Sequence, residues 1–147
     1  LGNAGEAFAK SDVDALAKAD AALQKAQELG PDKQILYIQW ARIKFALSDY
    51  AGAVPLLEKL VALSPDIVDS NTKLAHAYAK TDARDKALAI YRGLVQEQGL
   101  NVQNYIDIAI GFVEAGEKEE AIQTARKIKE LDPSLNEKAD QFIASLK

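Results

Sequence analysis

Residues 74–91 read LAHAYAKTDARDKALAIY, and this stretch decides the fold because its pattern occurs three times in the chain. One period of 34 residues earlier, residues 40–57 read WARIKFALSDYAGAVPLL. One period later, residues 108–125 read IAIGFVEAGEKEEAIQTA. A fixed period of this length is typical of proteins built from stacked supersecondary units. We therefore predict three such units, over residues 34–67, 68–101 and 102–133.

Small residues recur in register on both sides of the middle of each unit. The two series are Ala41, Ala75 and Ala109, followed by Ala53, Ala87 and Ala121. They lie where the two helices of one hairpin should cross, and a methyl side chain permits close approach there. An enlarged side chain at Ala87 would therefore overpack the middle unit.

Each unit also shows the apolar spacing of two helices with a turn between them. Leu36, Trp40 and Ile43 are spaced as on one face of a helix. The predicted turns are Ser48-Asp49, Thr81-Asp82 and Ala115-Gly116. Each unit is then a pair of antiparallel helices of about 13 to 15 residues, which are stable only when they are stacked.

The apolar and small residues of the three units match a known family pattern. Its positions are occupied by Tyr37, Trp40, Ala41, Ala53, Pro65, Leu74, Ala75, Tyr78, Ala87, Tyr91, Tyr105, Ile108, Ala109, Phe112, Gly116, Ala121 and Pro133. These units resemble tetratricopeptide repeats over about two thirds of the chain. The resemblance implies an all-α fold, a right-handed α-solenoid of antiparallel helical hairpins. Lys44 and Asn71 replace aromatic residues of the pattern, and we expect both to weaken local packing.

The ends of the chain complete a single domain over residues 1–147. Residues 1–33 are predicted to be a partial unit with one complete helix, and residues 1–10 a remnant of its partner. Residues 134–147 are predicted to be a capping helix that closes the solenoid. Ser134 and Glu137 have the spacing of a capping box at the start of that helix.

Composition excludes several classes of function. The chain of 147 residues has no Cys, which excludes disulfides and zinc held by thiolates. The net charge is −4 without a basic run, so we expect no binding to nucleic acid. No apolar stretch is long enough to span a bilayer, so we expect a soluble domain with no direct membrane insertion. The compartment is not fixed, and bacterial cytoplasm and periplasm are both compatible. The absence of Met favours a piece of a longer protein.

Catalytic and metal sites are not predicted. His76 is the single histidine, and no nucleophile motif or phosphate loop accompanies it. The carboxylates Glu117, Glu119 and Glu120 are explained by the start of a helix, where negative charge is stabilised. We expect no cofactor and no enzymatic activity.

The resemblance implies that the first helix of each hairpin lines a concave groove. The predicted groove residues are Ile38, Gln39, Arg42, Phe45, Lys73, His76, Lys80, Ile106, Asp107, Ile110 and Val113. The same mapping places Asp69 and Glu114 on this face. Arg42, Lys73, His76 and Lys80 give one half a positive lean, which would favour an acidic segment of a partner.

The other half of the groove is predicted to be apolar, which is typical of an interface. Some members of the family hold a chaperone tail with a clamp of Lys, Asn and Arg side chains. The corresponding positions here include Ile38, Gln103 and Asp107, so we do not expect that clamp.

Three functions are compatible with this sequence. The first is a protein-interaction scaffold that binds a peptide or protein segment in the groove. The second is the tail of a larger bacterial membrane or envelope protein, such as a glycosyltransferase or an O-antigen ligase-like protein. The third is self-association through the open N-terminal end of the stack.

Overall fold

The structure is a computed structural model that describes residues 10–147, and all regular secondary structure in that part is helical. The helices are α1 (Lys10–Leu29), α2 (Gln34–Ala46), α3 (Tyr50–Leu63), α4 (Val68–Lys80), α5 (Arg84–Leu94), α6 (Val102–Glu114), α7 (Lys118–Leu131) and α8 (Asn136–Leu146). A short 3-10 helix, Pro133–Leu135, precedes α8. Consecutive helices pack into the hairpins α2/α3, α4/α5 and α6/α7, which confirms the predicted solenoid of helical hairpins.

The three hairpin turns have the same backbone, and the period of 34 residues is visible in it. Ser48, Asp82 and Gly116 all have the left-handed conformation, with φ of 54°, 59° and 82°. In each turn, the N–H of the next residue donates to a carbonyl five residues earlier, as in the bond from Asp49 to Lys44 (2.8 Å). This arrangement satisfies carbonyls that the end of a helix leaves without partners. All three predicted turns are therefore confirmed.

The two alanine series lie where the helices cross, as the sequence predicts. Ala53, Ala87 and Ala121 are fully buried, and Ala41, Ala75 and Ala109 are at most 3% exposed. Large side chains fill the space around them, among them Tyr37, Tyr91 and Phe112, which are 2% exposed or less. A small residue at each crossing thus lets two helices approach while neighbouring aromatic residues fill the core.

Two details of the helices differ from the sequence prediction. The predicted capping box of Ser134 and Glu137 is not formed. Ser134 lies in the 3-10 helix, and its N–H donates to Asp132 at 3.0 Å. Helix α5 has 11 residues, fewer than predicted. The chain after it turns back so that Leu100 enters the core, and Gly99 makes that turn at φ 85°.

The N-terminal part is described from Lys10 onward, where α1 begins and continues for 20 residues. The remnant predicted for residues 1–10 lies outside the described residues apart from Lys10. α1 packs against α2, and α8 packs against α7. The unit limits at 34–67, 68–101 and 102–133 and the single domain over 1–147 remain predictions. None of the helices within residues 10–147 is long and apolar enough to cross a membrane.

Candidate functional site

Three neighbouring cavities follow one face of the solenoid, and eight of the eleven predicted groove residues line them. We call them the first, the middle and the apolar cavity, and together the groove. Phe45 and Lys73 line both the first and the middle cavity, and Ile110 lines both the middle and the apolar cavity. The shared residues show that the three cavities are adjacent.

The first cavity lies between α2 and α4 and has a volume of about 360 Å³. The predicted groove residues in its lining are Ile38, Arg42, Phe45 and Lys73. The backbones of α2 and α4 do not pack against each other, whereas those of α4 and α6 do. The first cavity therefore reaches down to α3, where Leu57 and Leu60 form an apolar floor.

The middle cavity lies between α4 and α6 and has a volume of about 240 Å³. The predicted groove residues in its lining are Phe45, Lys73, His76, Asp107 and Ile110. Asp69, Glu114 and Tyr91 also contribute to it. Most of these side chains are polar, so this part of the groove differs from its two neighbours.

The apolar cavity lies between α6, α7 and α8 and has a volume of about 330 Å³. Ile106 and Ile110 are the predicted groove residues in its lining. α8 completes it with Ala139 and Phe142, so the capping helix also contributes to the groove. The predicted apolar half of the groove thus includes a helix that the sequence assigned only to closing the stack.

Gln39, Lys80 and Val113 do not line any of these three cavities. Gln39 is exposed on α2 and accepts a long hydrogen bond from Arg42, at 3.5 Å. Lys80 is exposed at the end of α4. Val113 packs against the core of the third hairpin. These three residues stay candidates for contact at the rim of the groove rather than within it.

The excess of positive charge in the groove is smaller in the structure than the sequence alone indicates. Lys73 forms an ion pair with Asp69, one turn earlier on α4, at 2.8 Å. Among the described residues, Lys44 is the residue of α2 that forms ion pairs, and Arg42 forms none. Arg42 is therefore the cation of the first cavity that is available to an anionic group.

His76 connects three helices across the middle of the groove. Its Nδ1 lies 3.0 Å from Oε2 of Glu114 on α6, and the rings of Phe45 and Tyr50 lie 5.8 Å and 5.5 Å from its ring. The hydrogen bond from His76 lowers the pKa of Glu114, although burial of the carboxyl group acts in the opposite direction. Glu114 is therefore ionised at neutral pH.

Sequence reasoning missed Tyr91 as a groove residue, because it named Tyr91 only as a position of the family pattern. Tyr91 reaches the middle cavity because residue 111 is a glycine, and a side-chain carbon there would overlap the Tyr91 ring. The signal is present in two series at the 34-residue period. Ile43, Ala77 and Gly111 become smaller along the chain, and Tyr91 is the largest member of the series Leu57, Tyr91 and Ala125.

The described residues hold no group of three or more His, Asp or Glu side chains arranged to bind a metal ion. The carboxylates of the groove are spread along α4 and α6, and Asp107 accepts a hydrogen bond from Gln103 at 2.9 Å. What the groove offers is an elongated surface with an anion-attracting residue at one end, polar groups in the middle and an apolar cavity at the other end.

Comparison with known proteins shows which fold this is. The tetratricopeptide repeat family model matches residues 44–106. A crystal structure of MamA protein superposes with a TM-score of 0.74 and 18% identity, covering 93% of this chain and 74% of that one. MamA from Desulfovibrio magneticus RS-1 gives a TM-score of 0.71 and 18% identity, over 86% of this chain and 71% of that one.

A third structure, YrrB, is described as a TPR protein with an unusual peptide-binding site. It superposes with a TM-score of 0.62 and 15% identity, and the match covers 85% of this chain and 64% of YrrB. No curated protein sequence matches this chain. Residues 44–106 therefore match the tetratricopeptide repeat family, and the chain has the fold of a tetratricopeptide-repeat solenoid.

Proposed function

We propose that this chain is a non-catalytic interaction scaffold whose groove binds a segment of another protein. The observation that carries the proposal is the adjacency of three cavities with different chemistry, each of which shares lining residues with the next. A row of adjacent cavities suits an extended or helical peptide that places successive side chains in successive cavities. YrrB, a structural neighbour with a peptide-binding site, supports this class of ligand.

The two ends of the groove suit different parts of such a segment. In the first cavity, Arg42 would attract an acidic side chain, because it is not neutralised by an ion pair within the described residues. In the apolar cavity, Ile106, Ile110 and Phe142 would bury an apolar side chain. The proposed ligand therefore has an acidic residue at one end and an apolar residue at the other.

The test is selection of peptides from a random display library on the chain, followed by affinity measurement with the selected peptides. The double substitution Arg42→Glu and Lys73→Glu should abolish binding of acidic peptides, because it reverses the charge of the first cavity. The matched control is Lys118→Glu with Arg126→Glu, two exposed residues of α7 outside the groove. Circular dichroism checks that both variants keep their helices.

Equal binding of the selected peptides to the groove variant and to the wild-type chain would overturn the proposal. A loss of binding in both double variants would also contradict it, since it would mean that net charge rather than the groove decides the affinity. Loss in the groove variant alone supports it.

Self-association is the second candidate, and the exposed apolar residues of α1, at the N-terminal end of the described residues, favour it. Within the described residues α1 packs against α2 alone, and it leaves Val13 at 42% exposure and Leu29 at 89%. Such an end could stack on another copy. Light scattering over a wide concentration range tests this, and a strict monomer contradicts it.

The third candidate is the tail of a larger bacterial membrane or envelope protein. It depends on what the full gene encodes and not on the groove. Sequencing the full gene tests it, and a gene that encodes no membrane or catalytic region upstream contradicts it.

A further inference from the structure

The middle cavity carries more acidic than basic groups. Asp69, Asp107 and Glu114 line it, and Lys73 is the one lysine or arginine among its lining residues. Lys73 is already paired with Asp69, and the hydrogen bond from His76, with the charge of the nearby Lys80, lowers the pKa of Glu114, so this carboxylate is ionised at neutral pH. Asp107 is exposed and has an uncharged hydrogen-bond partner, Gln103. The cavity therefore favours a positively charged ligand group.

A second and independent observation is the Tyr91 side chain. Tyr91 is 2% exposed, and within the described residues its hydroxyl makes no hydrogen bond, although the residue lines the cavity. Every polar side-chain atom of the described residues that is fully closed to solvent does have a partner. The Tyr91 hydroxyl is therefore open to the cavity, where a ligand group could bond to it.

The same carboxylates act on Tyr91 itself. Burial raises the pKa of the Tyr91 phenol, and the negative charges of Glu114 and Asp107 raise it further. The phenol therefore stays protonated, and its oxygen can accept a hydrogen bond from a cationic N–H. Removal of this hydroxyl should leave the packing of the ring unchanged.

The shape of the cavity decides between kinds of cation. The described residues hold no cluster that fits a metal ion, and the carboxylates come from two helices. A volume of about 240 Å³ is smaller than the roughly 300 to 1,000 Å³ of a typical small-molecule site, so it suits a single side chain. Phe45 adds an aromatic ring on which a guanidinium or ammonium group can lie.

We infer that the middle cavity binds a basic side chain, an arginine or a lysine, of the partner segment. The inference rests on the proposed function and adds the ligand residue that occupies the middle cavity. The ligand then carries an acidic residue for the first cavity, a basic residue for the middle cavity and an apolar residue for the apolar cavity.

The probe is N-acetyl-arginine amide, and its neutral counterpart is N-acetyl-citrulline amide, which has nearly the same shape. Both are titrated into the chain at constant ionic strength, and the amide signals of Gly111 and Glu114 are followed by NMR. We expect saturable shifts with the arginine probe and none with the citrulline probe. Asp107→Asn should lower the affinity for the arginine probe about fivefold, which corresponds to the largest contribution expected from an exposed ion pair.

Tyr91→Phe is the decisive variant, and Tyr105→Phe is its matched control. Tyr105 is also buried but does not line the middle cavity. Loss of one hydrogen bond should weaken the arginine probe by about two- to tenfold in Tyr91→Phe, while Tyr105→Phe should bind as the wild type does. Melting curves show whether either variant is less stable.

Failure of this inference and failure of the proposed function give different results. Equal shifts with both probes, or an unchanged arginine titration in Tyr91→Phe and Asp107→Asn, would overturn the cation site. Selected groove-dependent peptides without any basic residue would overturn it too, and the proposed function would stand. An intact arginine titration with no groove-dependent peptide would instead overturn the proposed function and leave the cation site.

Discussion

Lys44 in the first hairpin and Phe112 in the third occupy the same position of the repeat, two periods apart, and the turn after each has a left-handed residue at the same place. Each is the residue whose carbonyl accepts the hydrogen bond that closes its hairpin turn. Their side chains nevertheless stabilise the two hairpins in different ways. The comparison shows that the turn depends on the backbone and the helix crossing on the alanines. The large side chain beside them can differ from one hairpin to the next.

In the first hairpin, Lys44 is the centre of a polar cluster. Its Nζ lies 3.0 Å from a carboxylate oxygen of Asp20 on α1 and 3.0 Å from one of Asp49. Asp20 also accepts a hydrogen bond from the Trp40 indole at 2.6 Å, and Asp49 accepts one from the Gly52 N–H at 2.9 Å. Charges therefore connect α1, α2 and the start of α3.

In the third hairpin, Phe112 is fully within the hydrocarbon core. It is 1% exposed, and its ring lies 5.7 Å from that of Tyr91. Helices α5, α6 and α7 meet there through apolar contacts. The free energy of folding in this region should depend on buried area, whereas in the first hairpin it should also depend on pH and salt.

The largest effect is expected from Phe112→Ala. Truncation of a fully buried phenylalanine removes apolar contacts and leaves a cavity, so the free energy of unfolding should fall by about 3 to 5 kcal/mol. Urea unfolding followed by circular dichroism measures it. The loss should be the same at about pH 7 and pH 5, and a loss below about 1 kcal/mol would contradict the assignment of this residue to the core.

A smaller effect is expected from Lys44→Ala. Removal of one partner from a fully buried ion pair costs about 3 to 5 kcal/mol, but Asp20 and Asp49 are partly exposed, so we expect about 1 to 2 kcal/mol. Urea unfolding measures it at low and at high salt, and the loss should shrink as salt rises.

The matched control for this change is Lys25→Ala on the exposed side of α1. It should alter the free energy of unfolding by less than about 0.5 kcal/mol. Equal losses in the two lysine variants would show that the polar cluster does not stabilise the first hairpin.

The smallest effect is expected in the pH dependence of the first hairpin. The hydrogen bond from the Gly52 N–H, and then Lys44, lower the pKa of Asp49 below its ordinary 3.8. The stability that Asp49 contributes is therefore present above that value and is lost as the pH falls through the lowered pKa. The pKa of Lys44 is raised above 10.5 by Asp49 and Asp20, against burial, which lowers it, so its contribution is lost only at higher pH.

Asp49→Asn tests this, because an amide can still cap the helix but carries no charge. The variant should be less stable than the wild type near neutral pH, and the difference should narrow between about pH 5 and pH 3. The fluorescence of Trp40, the single tryptophan, reports on this hairpin during urea unfolding. A difference that stays constant over this pH range would contradict the role of the Asp49 charge.

The sequence predicted the parts of the fold that depend on local spacing. The period of 34 residues located the hairpin turns and the two alanine series, because both are set by residues close together in the chain. The shorter α5 was not predicted, since it depends on where Leu100 enters the core.

The sequence did not predict which distant groups meet. Lys44 and Asn71 were expected only to weaken packing, but both have partners. The amide of Asn71 donates to the carbonyl of Pro65 at 2.9 Å, and the hydroxyl of Tyr37 donates to that of Pro31, one period earlier. Asn71 therefore makes the same connection as the aromatic residue it replaces.

The sequence predicted which residues line the candidate site better than it predicted the charge that the site carries. Eight of the eleven groove residues line the cavities, because a helix of known direction fixes which side chains share a face. The pair of Lys73 with Asp69 has the i,i+4 spacing of neighbours on one helix, so it could have been predicted from the sequence. Tyr91 comes from a different helix, and the pairing of His76 with Glu114 joins residues 38 positions apart, so neither could be predicted from local spacing.

The left-handed residues of the three hairpin turns also bear on how this chain can change over time. Ser48 and Asp82 hold a conformation that costs a residue with a side chain about 1 to 2 kcal/mol, while Gly116 holds it at little cost. Glycine loses about 0.5 to 1 kcal/mol more entropy on folding, which is less than this strain, so glycine at 48 and 82 should make the chain slightly more heat-resistant without touching the groove. Natural proteins rarely reach their stability optimum, and these two turns are where this one has room to tolerate later, destabilising changes in its binding surface.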